Sequence, residues 1–281
     1  MTSCYNDIKL NSKKEIPQCT LKYYPLTNIH CIEYAKQKFD DFFHYNIKDV
    51  LEYHKLNLNI IEDESKEIMY KLKYIRNIIE IFKNKYFDNC LNLAIDEFYR
   101  YYNYNIWNLL NDFPPNLKKK DGTLFWNGDK RMPKEIYFDV KDDYQNDFIY
   151  FYAYLMAKSL KIKIKDKNYA RDYIVKNLIE TQNILTTKEI LEQINKLKGE
   201  NKKELDSLNL DEFSNIDYEE FEKDNDSNHH IDFLTAFSNL KAKNYGIENS
   251  DINLVKFIAG KIIPAISTTT ASVCGFMMSQ I

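Results

Sequence analysis

The feature that most constrains this chain is its shortage of glycine and proline, with only six of each among 281 residues. These residues end helices and form the tight turns that a many-stranded β fold needs in large number. Their scarcity therefore favours long helices. The length, together with a hydrophobic content of 44%, suffices for a substantial core. Pattern alone predicts a mainly α-helical protein.

Hydrophobic periodicity indicates where the helices lie. One helix begins near Asn28, which is a favourable N-cap residue. The clearest pattern spaces apolar residues by three or four positions along one helical face. Its members are Ile68, Leu72, Ile75, Ile79 and Phe82. Weaker patterns predict further helices over 47–58, 91–110, 144–160, 169–179, 188–197, 230–245, 252–263 and 268–279.

Two segments interrupt the helices. Residues 113–139 form a long loop, with turn signals at Asp121-Gly122 and Asn127-Gly128. Four aromatic residues indicate that the loop is ordered and anchored. The second segment, residues 211–226, is acidic and contains eight Asp or Glu against one Lys, so we predict a domain boundary within it. The aromatic anchors of the loop are Phe125, Trp126, Tyr137 and Phe138.

The sequence lacks the signals that are typical of several classes of function. The formal net charge of −3 provides no global field toward nucleic acid or membranes. There is no glycine-rich phosphate loop, and no His or Cys has the spacing of zinc ligands. The adjacent His229 and His230 fit a helix start near solvent. The basic residues of the long loop fit a solvated surface; they are Lys118, Lys119, Lys120, Lys130, Arg131 and Lys134.

Five scattered cysteines indicate free thiols rather than a disulfide framework. Cys90 and Cys274 lie in apolar, helical surroundings that are typical of core residues, and Cys4 lies in a polar terminus. Cys31 falls in the first turn of a helix, where the helix dipole is expected to lower its pKa. Cys19 lies in an irregular and accessible segment. Both remain candidate nucleophiles, with a structural role as the alternative for each.

Five blocks of sequence, in the same order along the chain, resemble ubiquitin-activating enzymes. One contains Pro17-Gln18-Cys19-Thr20, which is similar to the motif around that family's catalytic cysteine. Another, residues 125–133, is close to the family's Phe-Trp-x-Gly-x-Lys-Arg-x-Pro. Residues 161–215 match poorly, and Asn225 stands where the family usually has a third Asp. The five blocks are 16–22, 111–115, 125–133, 221–230, and 259–266 with 268–271.

The resemblance implies a mainly α, multi-helix catalytic-cysteine half-domain over residues 1–220. It implies that residues 221–281 are a helical fragment of an α/β adenylation domain. Cys19 would then take the C-terminus of ubiquitin as a thioester and pass it to a ubiquitin-conjugating enzyme. Candidate supporting residues are Thr20, Asp224 and Asp226, with an Asp as proton acceptor or, equally, as a solvated linker charge.

The resemblance also implies ATP and magnesium for the complete enzyme, and no cofactor or metal on this segment. The implied partners are ubiquitin, conjugating enzymes and the adenylation domains of the same polypeptide, in the cytoplasm and nucleus, with no nucleic acid or membrane. Alternatives are the same chemistry for another ubiquitin-like modifier, or a non-catalytic helical interaction module. We expect the segment around Cys19 to be mobile. We expect residues 262–281 to dock on a neighbour, to rearrange or to be poorly ordered in the isolated chain, and their apolar surface to favour self-association.

Overall fold

The computed structural model describes residues 16–51, 66–128, 130–180 and 216–261. Within these ranges the regular elements are helices, and one isolated antiparallel bridge joins Lys118 to Leu124. The predicted mainly α-helical fold is confirmed. The α-helices are α1 (Gln18–Tyr23), α2 (Asn28–Asp40), α3 (Asn46–Leu51), α4 (Lys66–Asn84), α5 (Phe87–Tyr99), α6 (Asn105–Asp112), α7 (Asp143–Ser159), α8 (Lys167–Glu180), α9 (His230–Asn244) and α10 (Ile252–Ala259).

Two π-helical turns join successive helices into longer runs. Asp41–Tyr45 connects α2 to α3, and Arg100–Tyr104 connects α5 to α6. A π turn widens the helix and changes which side chains face the core. The neighbours Phe42 and Phe43, in the first of these turns, are both buried. The predicted separate helix over 47–58 is therefore a continuation of α2, and its end beyond residue 51 lies outside the described residues.

Helices α7 and α9 lie at the centre of the fold. Both α5 and α9 pack against α7, and α2 packs against α9. Helix α7 begins with an N-cap at Asp142, whose carboxylate accepts hydrogen bonds from the backbone amides of Tyr144 and Gln145. Large aromatic side chains, each at most 2% exposed, fill the space between the helices. They are Phe39, Phe42, Phe43, Phe98, Tyr102, Phe148, Tyr152, Phe233 and Phe237.

The strongest periodic pattern is confirmed as α4, where Ile75, Ile79 and Phe82 are buried. The helices predicted over 91–110, 144–160, 169–179 and 230–245 are also present, as α5 with α6, α7, α8 and α9. The helix predicted over 252–263 ends at Ala259. The predicted helices over 188–197 and 268–279, and the expectation for the tail, lie outside the described residues.

Residues on both sides of the predicted boundary at 220 share one hydrophobic core. Ile216 and Phe233 are both buried in it. The backbone amide of Asp217 donates to the carbonyl of Ser159, and that of Glu219 donates to the carbonyl of Phe43. These bonds hold the acidic segment against α7 and the first π turn. The boundary itself stays a prediction.

A buried carboxylate, Glu219, links the acidic segment to α9 and α7. The Glu222 amide donates to Nδ1 of His230, so the ring proton lies on Nε2 and points at Glu219, with 3.2 Å between Nε2 and Oε2. The Lys158 ammonium donates to the same oxygen at 2.8 Å. Burial opposes ionisation of Glu219, but these two donors hold the pKa of its carboxyl below the usual value.

We expect Glu219→Gln to lower the free energy of unfolding at pH 7 by about 1–3 kcal/mol, because it weakens two charge-assisted hydrogen bonds. Since the folded-state pKa is depressed, this contribution is present above the unfolded pKa of about 4.3 and is lost as pH falls through the folded value. Urea unfolding at pH 7 and below pH 4 measures both effects. Glu220→Gln, at an exposed neighbour, is the control; equal effects of the two variants would contradict the assignment.

Candidate functional site

Cys19 lies in the first turn of the short helix α1 and is exposed. Proline fixes the backbone at position 17, and its carbonyl accepts hydrogen bonds from the amides of Thr20 and Leu21. Leu21 is 3% exposed and anchors α1 in the core. The expectation of an irregular segment is therefore wrong: Cys19 lies on a helical turn, with its neighbour Thr20 half-buried.

Aromatic residues from two other family-like blocks surround the end of α1. The ring of Tyr24 lies 6.1 Å from that of Phe125 and 6.0 Å from that of Trp126. Phe125 stacks on Phe113 at 4.6 Å between ring centroids. The Lys130 ammonium lies 4.0 Å from the Phe125 ring centroid and 4.6 Å from that of Tyr24. Three blocks that are separate in sequence thus meet at the end of the helix that carries Cys19.

The described residues of the long loop have defined contacts, as predicted, but not through all four proposed anchors. Trp126 is 8% exposed, and its indole N–H donates to the carbonyl of Phe113 at 2.8 Å. Tyr137 is 58% exposed, so its role as an anchor is wrong. The loop is also tied to the end of α9, because Arg131 donates to the carbonyl of Gly246 at 2.9 Å. Of the basic loop residues, Lys130 and Arg131 thus have defined partners.

Cys31, the other candidate nucleophile, is 1% exposed. Burial raises its pKa to about 11, although the nearby charges of Lys241 and Arg131 act in the opposite direction. The expectation that the helix start lowers the pKa of this thiol is therefore wrong, because desolvation of the thiolate outweighs the helix dipole. Cys90 is fully buried, as predicted, and burial raises its pKa to about 12.

The two candidate acidic residues lie on the surface, in the segment before α9. Asp224 bonds to the neighbouring Lys223 at 2.7 Å, and this hydrogen bond holds the pKa of its carboxyl below the usual range. The side chain of Asp226 is 87% exposed and pairs with Lys256 at 3.0 Å. Neither lines the cavity beside Cys19. Their role as proton acceptors, and that of Thr20, stays a prediction.

A cavity of about 560 Å³ lies against α1 and includes Cys19 in its wall. Its wall also contains Lys241 of α9, which is only 6% exposed. Sequence reasoning missed this residue. A lysine in the last turn of a helix is ordinarily solvated, and only the arrangement of α1, α2 and α9 shows that it is covered.

The histidine pair is less exposed than its sequence position suggests. His229 caps α9 in a left-handed conformation with φ of 60°, and its ring contacts those of Phe151 and Tyr154. His230 is 1% exposed, so a position near solvent is wrong for it.

In the described ranges no group of three or more His, Cys, Asp or Glu is arranged to hold a metal ion. None of the helices described there has the length and apolar character needed to cross a membrane.

We expect iodoacetamide to label Cys19 in the folded chain at neutral pH, and to label Cys31 and Cys90 at least about a hundredfold more slowly. Burial raises the pKa of Cys31 to about 11 and that of Cys90 to about 12, which lowers the thiolate fraction of each at neutral pH roughly a hundredfold or more. Burial also limits the access of the reagent to both thiols. Peptide mapping of the labelled chain measures each rate. The denatured chain is the control, in which all three react alike. Rapid labelling of Cys31 in the folded chain would contradict the expectation.

Comparison with known proteins supports the resemblance. The family model described as ubiquitin-activating enzyme, SCCH domain, matches residues 25–256. Among curated proteins, ubiquitin-activating enzyme E1 1 of Candida albicans is 35% identical over 301 residues, covering 100% of this chain and 29% of the relative. The enzyme of the same name from Schizosaccharomyces pombe is 35% identical over 299 residues, covering 100% and 29%. Human ubiquitin-like modifier-activating enzyme 6 is 31% identical over 300 residues, covering 99% and 28%.

The helical fold and a match over most of the chain define a domain of a modifier-activating enzyme. The chain belongs to the ubiquitin-activating enzyme family. It spans less than a third of the length of these curated relatives. The matched range of the family model begins after Cys19, so that match does not itself bear on the nucleophile.

Proposed function

We propose that this chain is the part of a ubiquitin-activating enzyme whose Cys19 thiol accepts the C-terminus of ubiquitin as a thioester. The observation that carries this proposal is the position of Cys19. Of the three cysteines in the described ranges it is the exposed one, whereas Cys31 and Cys90 are buried. It lies on a helix whose end packs against Phe125 and Trp126 of one family-like block, and Phe113 of another block stacks on Phe125.

The chemistry requires a thiolate at Cys19. Its sulfur attacks the carbonyl carbon of a ubiquitin C-terminus that has been activated elsewhere in the enzyme, a carbon–sulfur bond forms, and the activating group leaves with the bonding electron pair. The thioester keeps the acyl group reactive. A cysteine of a ubiquitin-conjugating enzyme then attacks the same carbon, takes over the acyl group and returns Cys19 as the thiolate. An exposed thiol suits both steps, because two large partners must reach it.

The ATP and magnesium of the complete enzyme do not fit the residues described here. The sequence lacks a glycine-rich phosphate loop, and the described ranges hold no cluster of three or more His, Cys, Asp or Glu arranged for a metal. We therefore place adenylation in another part of the complete enzyme. This chain would contribute the thiol and the surface around it.

Asp224 and Asp226 remain proposed proton acceptors for the incoming thiol of the conjugating enzyme. Their exposure and lysine partners fit a solvated charge equally well. Separate Asp224→Ala and Asp226→Ala variants decide between these roles. If each hands over ubiquitin at the normal rate, neither residue assists the transfer.

The experiment that tests the proposed function replaces the matching segment of the Candida albicans relative with this chain. We expect the chimera to form an ATP-dependent ubiquitin adduct that a thiol reductant removes on a gel. The unmodified Candida albicans relative, assayed in parallel, is the positive control for thioester formation. If the folded chimera activates ubiquitin as the adenylate but never forms the thioester, the proposal is wrong.

A second modifier is a specific alternative, because one relative is named for ubiquitin-like modifiers in general. The residues around Cys19 would perform the same acyl transfer on any modifier with an activated C-terminal carboxyl group. The chimera cannot distinguish ubiquitin from another modifier as the substrate of this chain, because the relative's own domains would select the modifier. A complete enzyme that contains this chain, supplied with ubiquitin and several other modifiers in competition, separates them by which adduct forms.

A further inference from the structure

Lys241 is a buried cation beneath the helix that carries Cys19. Its side chain extends from α9 toward α1, and its ammonium donates a hydrogen bond of 3.0 Å to the backbone carbonyl of Lys22. The ammonium also lies 4.1 Å from the ring centroid of Tyr34 and 5.3 Å from that of Tyr245. Among the described residues no carboxylate pairs with it. One carbonyl and two aromatic faces therefore replace its hydration shell.

Those partners compensate only in part for the loss of water. Moving an ammonium from water into a protein interior costs several kcal/mol, and a buried charge is ordinarily paired with an opposite one. The phenol oxygen of Tyr245, in the wall of the same cavity, is buried and has no hydrogen-bond partner in the described part of the chain. The surroundings of Lys241 are thus unfavourable for charge.

Helix α1 covers this lysine in part, because the carbonyl that accepts from its ammonium belongs to Lys22. Cys19, Lys22, Tyr24 and Lys241 all line the cavity. Displacement of α1 would open the cavity and let water reach the ammonium. A six-residue helix has little stability of its own, so its position depends on how well it docks. Burying a charge under α1 therefore weakens the docking of the helix that carries the thiol.

We propose that Lys241 is a positioning residue for Cys19: it fixes the docked position of α1 through the Lys22 carbonyl while its buried charge keeps that docking weak. The consequence for catalysis rests on the proposed function, because a thiol that must meet two partners benefits from a helix that can leave its docked position. The docking itself does not depend on that function.

The pH dependence follows from the groups that face Lys241. Burial lowers its pKa to about 8, the positive charges of Lys38 and Lys22 act in the same direction, and Cys31 acts in the opposite one. Among the described residues, the phenols of Tyr34 and Tyr245 also face it, and Arg100 and Asp112 lie in the wall of the same cavity. When α1 is displaced, water restores the pKa of Lys241 toward its ordinary value. As the pH rises from 7 to 9, Lys241 loses its proton in the docked state but largely keeps it in the displaced state. The equilibrium constant for docking of α1 therefore rises about tenfold.

The test is hydrogen exchange of the 281-residue chain, read at the backbone amides of Leu21 and Tyr24, whose acceptors are the carbonyls of Pro17 and Thr20. We expect Lys241→Met to raise the protection of these amides at pH 7 by about tenfold or more, because an apolar chain of similar length removes the buried charge. Protection in the unmodified chain, corrected for the intrinsic exchange rate, should rise about tenfold from pH 7 to 9. In Lys241→Met it should not change.

Lys243→Met is the matched control, because Lys243 is exposed on the last turn of the same helix and pairs with Asp142 instead of α1. It should leave the protection of α1 and its pH dependence unchanged. Reduced or unchanged protection in Lys241→Met would overturn the proposal, since the lysine would then simply anchor the helix or have no effect on it. If Lys241→Met does not fold, the pH dependence of the unmodified chain decides, and a pH-independent protection overturns the proposal. None of these readouts requires thioester formation, so failure here is distinct from failure of the proposed function.

Discussion

Cys19→Ala is expected to abolish thioester formation in the chimera, with a loss of roughly a thousandfold or more. Alanine has no group that can attack the activated carboxyl carbon, and losses of this size are typical when a covalent nucleophile is removed. The fold should be unaffected, since Cys19 is exposed. Single-turnover charging with ubiquitin, followed by a gel without reductant, measures the effect.

Cys31→Ala is the matched control for this prediction. It removes a thiol that is buried and whose pKa is raised to about 11, so charging should continue. Its cost should appear as a small loss of stability from the cavity left in the core. If Cys31→Ala lost the thioester while Cys19→Ala retained it, the nucleophile would be misassigned.

Phe237→Ala is expected to lower the free energy of unfolding by about 3–5 kcal/mol, the range for a buried aromatic residue. The ring of Phe237 is fully buried at the centre of the aromatic core. Its centroid lies within 6.4 Å of six other aromatic rings, those of Tyr34, Phe42, Tyr101, Tyr102, Phe148 and Phe233. Urea unfolding of the chain, followed by circular dichroism, measures the loss.

The matched control for that substitution is Phe257→Ala, because Phe257 is 42% exposed on α10. It should change the free energy of unfolding by less than about 0.5–1 kcal/mol. Phe237 lies after the predicted boundary at residue 220, and five of its six ring neighbours lie before it. A loss below about 1 kcal/mol, or one confined to a separate transition, would show that α9 is not part of the common core.

The helices were predictable because their apolar spacing is repeated over several turns. Ile75, Ile79 and Phe82 recur at helical intervals, and all three are buried. The π turns were not predictable, since insertion of one residue leaves no distinct signal in composition. Phe42 and Phe43, which are adjacent in sequence, lie in the first of these turns.

The candidate site was less predictable, because burial of polar groups depends on contacts between distant segments. Position in a helix favours Cys31 on physical grounds, but the thiol is buried, with Lys241 of α9 and Arg131 of the long loop nearby. His230 similarly becomes a buried partner of Glu219. Nothing in the sequence indicates that Lys241 is buried, because its burial depends on the docked position of α1. The choice of Cys19 came from resemblance, which encodes such long-range contacts indirectly.

The most direct test of the central claim is to locate the acyl group on the chimera after charging. The charged protein is trapped at acid pH without reductant, cleaved, and mapped by mass spectrometry for the peptide that carries the C-terminus of ubiquitin. We predict a reductant-sensitive adduct on Cys19 and none on Cys31 or Cys90. An adduct on any other cysteine of the chimera, with Cys19 unmodified, would contradict the account.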